Sequence, residues 1–247
     1  MKLKISTIDA DQGQKVAIIT GTGNGIGKAT AELLLKKGYL VFGYSRTNKI
    51  NHPNFTFTPI DLSDLGQVND LTLPIISSNN VLLINNAATI GSIVPFDKKE
   101  TSDIINEYNL NLVSPTILCR KFITTYTYQE KLLINIGSGA ANSPIPSWSI
   151  YCATKAALDM LTQVIAEENH KNLRVFSVHP GIVDTNMQKT IRGTEEHLFP
   201  LLSKFTAYHS KNELETTTIA AQKLHYIIQN SNEFIKNILS IRDVNLK

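Results

Sequence analysis

Short apolar runs rich in β-branched residues recur along the chain, separated by longer stretches whose apolar positions fall at helical spacing. The runs are KVAIIT (15–20), YLVFGY (39–44), FTFTPI (55–60), VLLIN (81–85), KLLINI (131–136), LRVFSV (173–178) and NILSI (237–241). Helical spacing marks 25–37, 63–77, 98–127, 149–169 and 213–229. Strands apolar on both faces, alternating with helices, predict an α/β fold: one doubly wound parallel sheet of about seven strands covered by helices on each side. No repeat or Pro/Gly-rich linker divides the chain, so 1–247 reads as a single domain. Residues 1–14 read as an N-terminal extension or a lead-in to the first strand. The segment 186–212, with Pro200 and weak periodicity, predicts an insertion of the kind that covers a ligand site.

Composition narrows the class. At 247 residues and 42% hydrophobic content the chain can bury one sizeable core. Its net charge of +3 comes from 24 basic and 21 acidic residues without a basic run, which argues against nucleic acid. No stretch approaches the ~20 apolar residues of a membrane span, and MKLKISTIDADQGQ lacks the apolar centre of a signal peptide. The expectation is a soluble cytoplasmic protein that binds no membrane. Cys119 and Cys152 sit in apolar helical contexts and read as free thiols, and no His/Cys spacing indicates a metal.

The candidate chemistry begins at TGTGNGIG (20–27), which joins the first strand to a helix. Gly21, Gly25 and Gly27 permit a tight turn, close approach of backbone to a pyrophosphate, and close packing of helix on strand. The spacing is neither G-x-G-x-x-G nor a P-loop, but the strand–turn–helix context predicts a nucleotide site. The second strand ends in Ser45 and Arg46 with no carboxylate, which favours NADP(H) over NAD, an arginine suiting a 2′-phosphate. In YCATK (151–155), Tyr151 and Lys155 share one helical face. At about 5 Å and an effective dielectric of about 20, the ammonium would favour the phenolate by roughly 3 kcal/mol, about two pKa units. An ordinary i,i+4 surface pair is the alternative at this point.

With TGTGNGIG, NNAA (85–88), NLNLVS (109–114), NIGSGA (135–140), YCATK and HPGIVDT (179–185) in that order, the chain resembles the short-chain dehydrogenase/reductase family over nearly its whole length. The resemblance implies a Rossmann-like fold and a catalytic tetrad of Asn111, Ser138, Tyr151 and Lys155, with Asn111 feeding a water chain to Lys155. It also implies cofactor contacts from Gly21, Gly23, Asn24, Gly25, Ile26 and Gly27, and from Ser45 and Arg46. Asp61 and Leu62 would meet the adenine, while Asn86, Ala87 and Ala88 would line the cofactor. Pro180, Gly181, Ile182 and Thr185 would approach the nicotinamide, with Tyr151 and Lys155 at its ribose. Gly23 and Ala88 depart from the family pattern, which usually has a small polar residue and a glycine there.

SWSIYCATKAALDML (147–161) and HPGIVDTNMQ (179–188) are similar to the sepiapterin reductase branch and the bacterial benzil reductases related to it. That likeness implies an NADPH-dependent carbonyl reductase acting on a pterin side chain or a small vicinal dicarbonyl. Trp148, Met187 and Asp243 are its candidate substrate residues, Trp148 being equally readable as packing beneath the loop and Asp243 as a surface residue. A general NAD(P)-dependent alcohol dehydrogenase, a 3-oxoacyl reductase and a catalytically silent NADP-binding sensor are the competing readings. The family also implies a homodimer or homotetramer built on 98–127 and 149–169, although Leu118, Phe122, Leu158 and Leu161 could equally be buried within one chain.

Overall fold

The computed structural model describes residues 13–246, so most of the expected extension 1–14 lies outside the described residues. The seven apolar runs form β1 (Val16–Thr20), β2 (Leu40–Ser45), β3 (Phe55–Pro59), β4 (Asn80–Asn85), β5 (Glu130–Ile136), β6 (Leu173–His179) and β7 (Ile238–Ser240). All pair in parallel in one sheet of order β3-β2-β1-β4-β5-β6-β7. Alternation along the central strands explains why they read as unbroken apolar runs. Ala17, Ile19, Leu82, Ile84, Ile134, Ile136, Phe176 and Val178 face one core, while Val16, Ile18, Val81, Leu83, Leu133 and Val175 face the other.

The helices are α1 (Gly25–Lys36), α2 (Leu65–Asp70), α3 (Thr101–Tyr108), α4 (Ser114–Thr125), α5 (Ser149–Glu167), α6 (Asn186–Arg192), α7 (Leu202–Ser210) and α8 (Thr217–Gln229). Ala31 and Leu34 of α1 join Ala220, Leu224 and Ile227 of α8 in the first core. Val68 of α2, Leu118 and Phe122 of α4 and Ile165 of α5 fill the second. The strand order reverses between β1 and β4, so a crevice opens at the carboxyl ends of those strands, where ligands of such sheets bind.

Two expectations need correction, and the structure of a third stretch explains its weak periodicity. The helix expected over 63–77 is confined to α2, because the chain turns extended at Leu71 and Pro74 follows; Lys121 Nζ then donates to the freed Asn69 and Leu71 carbonyls at 2.7 and 2.8 Å. The stretch 98–127 is not one regular helix, since a π-helical turn, Asn109–Val113, joins α3 to α4. The segment 186–212 holds α6 and α7, which at 7 and 9 residues are too short to establish a helical period. Among the described residues no helix is long and apolar enough to cross a membrane, and no cluster of three metal-ligating side chains occurs. Both cysteines are free, Cys119 buried and Cys152 half-buried.

Candidate active site

The turn after β1 is a cradle that only glycine could line. Gly21 and Gly25 hold φ of +74° and +59°, and a Cβ on Gly27 would lie 2.3 Å from Asn86 Nδ2 and 2.4 Å from the Gly21 carbonyl oxygen. Asn24 caps α1 without a side-chain hydrogen bond, and no acidic residue occupies the first turn, so the helix N-terminus is left to an external anion. Gly23 is explained here as well: its Cβ would meet Thr47 Oγ1 at 2.7 Å and the Thr47 carbonyl at 2.8 Å, leaving no space for the family's usual side chain. This cradle opens into a cavity of about 790 Å³ lined by Gly21, Gly23, Asn24, Gly25 and Ile26. A dinucleotide fits its size and its ready-made anion site.

One wall of the cavity carries Ser45, Arg46 and Thr47 from the end of β2, then Asp61 and Leu62. Ser45 Oγ donates to the Thr47 carbonyl at 2.7 Å, which folds the loop back and leaves Arg46 exposed. Ser63 donates to Asp61 Oδ1 from its hydroxyl and its backbone N–H, at 2.7 and 2.9 Å, and these bonds hold that carboxyl below its usual range. Asn86, Ala87 and Ala88 form the opposite wall with Thr89, Ile90 and Gly91. The last three, like Thr47 and Ser63, extend the predicted set; Gly91 at φ +66° was the available signal.

Three of the four tetrad candidates converge at the end of β5. Ser138 follows Gly137 off the strand and begins a short 3-10 turn, accepting from Ala140 N–H at 3.1 Å. Its hydroxyl stands close enough to Tyr151 of α5 to hold that phenol's pKa down. Lys155, one turn on, is buried and donates Nζ to the Ile136 carbonyl at 2.7 Å, with Nζ 5.7 Å from the Tyr151 ring centre. Tyr151 and Lys155 both line the cavity. The expected draw of Lys155 on the phenol is not the dominant effect: burial raises the Tyr151 pKa, and the Ser138 hydrogen bond pulls it back. Burial also pushes Lys155 down to about 8, against the attraction of Asp159. The lysine is held over the ring and by a carbonyl, so desolvation of the phenolate wins.

Asn111 braces the cavity wall. Its Oδ1 accepts from Thr89 N–H at 2.9 Å and its Nδ2 donates to the Thr89 carbonyl at 2.8 Å. It stands in the π-helical turn Asn109–Val113. Gly27 and Asn111 thus shape the site from behind its lining, while the half-buried Ser138 stands at its edge beside Tyr151.

The remaining predicted residues divide. Pro180, Thr185 and Met187 line the cavity with Asn186 and Thr190, whereas Gly181 and Ile182 do not. Trp148 is not on the cavity surface: it is buried, stacked on Phe199 at 5.5 Å and edge-on to Tyr151 at 5.7 Å. It packs beneath the segment containing α6 and α7, fixing Tyr151 from behind. Asp243 is exposed in a 3-10 turn after β7 and lines no part of the cavity; that turn points its neighbour Arg242 at Gly181 instead.

Comparison with known proteins agrees with this geometry. The short chain dehydrogenase family profile matches residues 15–196. A benzil reductase ((S)-benzoin forming) of Bacillus cereus is 32% identical, over 87% of this chain and 94% of its own length. A sepiapterin reductase of Rattus norvegicus is 31% identical, over 88% and 92%. Among solved structures the KRED1-Pglu enzyme superposes with a TM-score of 0.78 at 22% identity, over 88% of this chain and 95% of that one.

Proposed function

The chain belongs to the short-chain dehydrogenase family, and from that premise we propose that it is an NADPH-dependent carbonyl reductase acting on a pterin side chain or a small vicinal dicarbonyl. The observation that carries this reading is the meeting of Ser138, Tyr151 and Lys155 beside a cavity whose far end is a glycine-lined anion cradle. Gly21 to Gly27 and the α1 N-terminus would hold the pyrophosphate, with Lys155 and Tyr151 at the ribose. Bound there, the reduced cofactor would supply a hydride to the carbonyl carbon.

The chain's own residues handle the proton. The Ser138 hydroxyl donates to the carbonyl oxygen and fixes its direction. Tyr151, kept protonated at neutral pH by burial, gives its proton to that oxygen as negative charge builds there. The Lys155 ammonium over the ring stabilises the phenolate left behind, which solvent then reprotonates.

Arg46 and the absence of a carboxylate at the end of β2 support NADPH, since a guanidinium pairs with a 2′-phosphate and a carboxylate would repel it. Two relatives named for benzil and for sepiapterin support a ketone carried on a ring system. Ile90 and Met187, apolar on the cavity wall, suit such a body. Assembly as a homodimer or homotetramer belongs to the same proposal, through the exposed apolar residues of α3 and α5. Leu118, Phe122 and Leu158 are buried within the chain, while Ile105, Met160 and Val164 are 53%, 59% and 47% exposed on α3 and α5.

The test is the initial rate of NADPH and of NADH oxidation with benzil and with sepiapterin. Turnover of either ketone with NADPH well above NADH is expected. Preference for NADH would overturn the reading of Arg46, and activity with neither ketone would overturn the substrate class.

A further inference from the structure

Asp159 lies one turn beyond Lys155 on the sheet-facing side of α5 and is only 6% exposed. A carboxylate so placed needs partners. Ser177 Oγ donates to its Oδ1 at 2.5 Å, and His179 Nε2 lies 2.8 Å from its Oδ2. Both partners come from the end of β6, at the two positions that face α5. Gly137 makes the cluster fit, since a Cβ there would lie 2.4 Å from Ser177 Oγ, 2.6 Å from His179 Cδ2 and 2.9 Å from Asp159 Oδ1. Gly137 precedes Ser138 and lines the cavity, so this polar cluster backs onto the reacting groups.

We propose that Asp159 is a positioning residue, the buried counter-charge that keeps the Lys155 ammonium protonated, and that Ser177 and His179 hold it in place. The proposal rests on the reading of Tyr151 and Lys155 given above. Few other groups face Lys155. Tyr151 and Asp159 share α5 with it, and His179 stands behind Asp159 on β6. From β5 comes the Ile136 carbonyl and, just past the strand, the neutral Ser138. Burial works to discharge Lys155, and Asp159 is the charge that opposes it. Both Asp159 oxygens are engaged by β6, so the carboxylate acts across space, and its removal should move the lysine by about one pH unit, the low end for close opposite charges.

The decisive experiment needs neither substrate nor cofactor. Protein carrying ¹³Cε-lysine is titrated by NMR, and the Lys155 resonance is assigned by its loss in Lys155→Met. The midpoint, near 8 in the parent chain, is expected to fall by about one unit in Asp159→Asn, which keeps the size and stays hydrogen-bonded when its oxygen accepts from Ser177 and its NH2 donates to the other tautomer of His179. An unmoved midpoint overturns the proposal. Should the amide variant not fold, Asp159→Ser removes the same charge and carries the same expectation. In benzil reduction with NADPH, Asp159→Asn should stay within about twofold of the parent at pH 6 and lose about fivefold to tenfold at pH 9, with Asp159→Glu recovering the alkaline side. Equal losses at both pH values would show a merely structural role and overturn the proposal. Full activity in Tyr151→Phe would instead remove the reading of the site on which it rests.

Discussion

Lys99→Met tests how the cavity wall after β4 is held. Lys99 Nζ sits 2.6 Å from Glu107 Oε1 and 2.6 Å from the Ser92 carbonyl, with the two side chains 0% and 2% exposed. The carboxylate occupies the space beside Gly91, where a Cβ would come within 1.8 Å of Glu107 Oε1. Taking away one partner of a buried ion pair costs about 3–5 kcal/mol, since the other charge stays buried and uncompensated. Against a total stability of about 5–15 kcal/mol this is a large fraction, and at about 2–4 °C per kcal/mol the midpoint should fall by about 10 °C. The sign with pH follows from burial, which holds the Glu107 carboxyl above its usual range while Lys99 pulls it down. Without Lys99 the folded chain keeps a proton that the unfolded chain releases above about pH 4.3, so stability falls as pH climbs. Thermal unfolding should therefore show the largest loss at pH 8 and the smallest near pH 5. Adding Glu107→Leu should recover most of it, because no buried charge is then left unpaired. A midpoint within about 2 °C of the parent at pH 8, or one equally lowered at both pH values, would refute the reasoning.

Tyr151→Phe should reduce turnover by at least about 100-fold, with NADPH affinity by fluorescence titration within about threefold, since only the proton donor is lost. Arg46→Ala should raise the KM for NADPH about tenfold while that for NADH stays within about twofold, the loss of one charged hydrogen-bonding group to phosphate being worth about 1.5–3 kcal/mol. Gly27→Ala should destabilise by about 1–3 kcal/mol in urea unfolding and weaken cofactor binding, because its Cβ meets the Gly21 carbonyl at 2.4 Å. The rate of ketone reduction should decline above about pH 8, where Lys155 gives up its proton, and stay flat just below it.

Much of the fold was readable in the chain. Each of the seven apolar runs is a strand, with ends within a residue of those expected, because a parallel strand buried on both faces leaves an unbroken apolar signature. The ordered motifs also identified the glycine turn and the Ser138, Tyr151 and Lys155 group, whose members lie within 18 residues of one another. What escaped was governed by contacts between distant parts of the sequence. The apolar pattern of 149–169 marks Val164 as core, yet it is 47% exposed while Thr154 and Thr162 are fully buried. Trp148 was equally readable as lining the pocket or as packing beneath the loop, and only the packing of Phe199 and Phe205 on the indole decides. The Lys155 effect on Tyr151 was misjudged for the same reason, since an i,i+4 spacing gives a distance but says nothing of burial.

The polar residues beneath α5 share an origin in the alternation of three neighbouring strands. On the α5 side of the sheet β4 runs from Leu83 to Asn85, β5 from Leu133 to Asn135, and β6 from Val175 through Ser177 to His179. The opposite side stays apolar to the same depth, with Ile84, Ile136 and Val178 in the core under α1 and α8. Three strands therefore turn polar together on one face toward their carboxyl ends. Buried amides so placed need partners, and a chain of bonds supplies most of them: Asn85 Nδ2 donates to Asn135 Oδ1 at 2.9 Å, Asn135 Nδ2 to Thr162 Oγ1 at 2.9 Å, and Thr162 Oγ1 to the Leu158 carbonyl at 2.8 Å, while Asn85 Oδ1 is left without one. An apolar layer of equal volume would hold α5 at least as firmly, so this polar layer is not explained by stability alone. Its effect is to fix the rotation of α5 through directional bonds, and that rotation decides where Tyr151, Lys155 and Asp159 point.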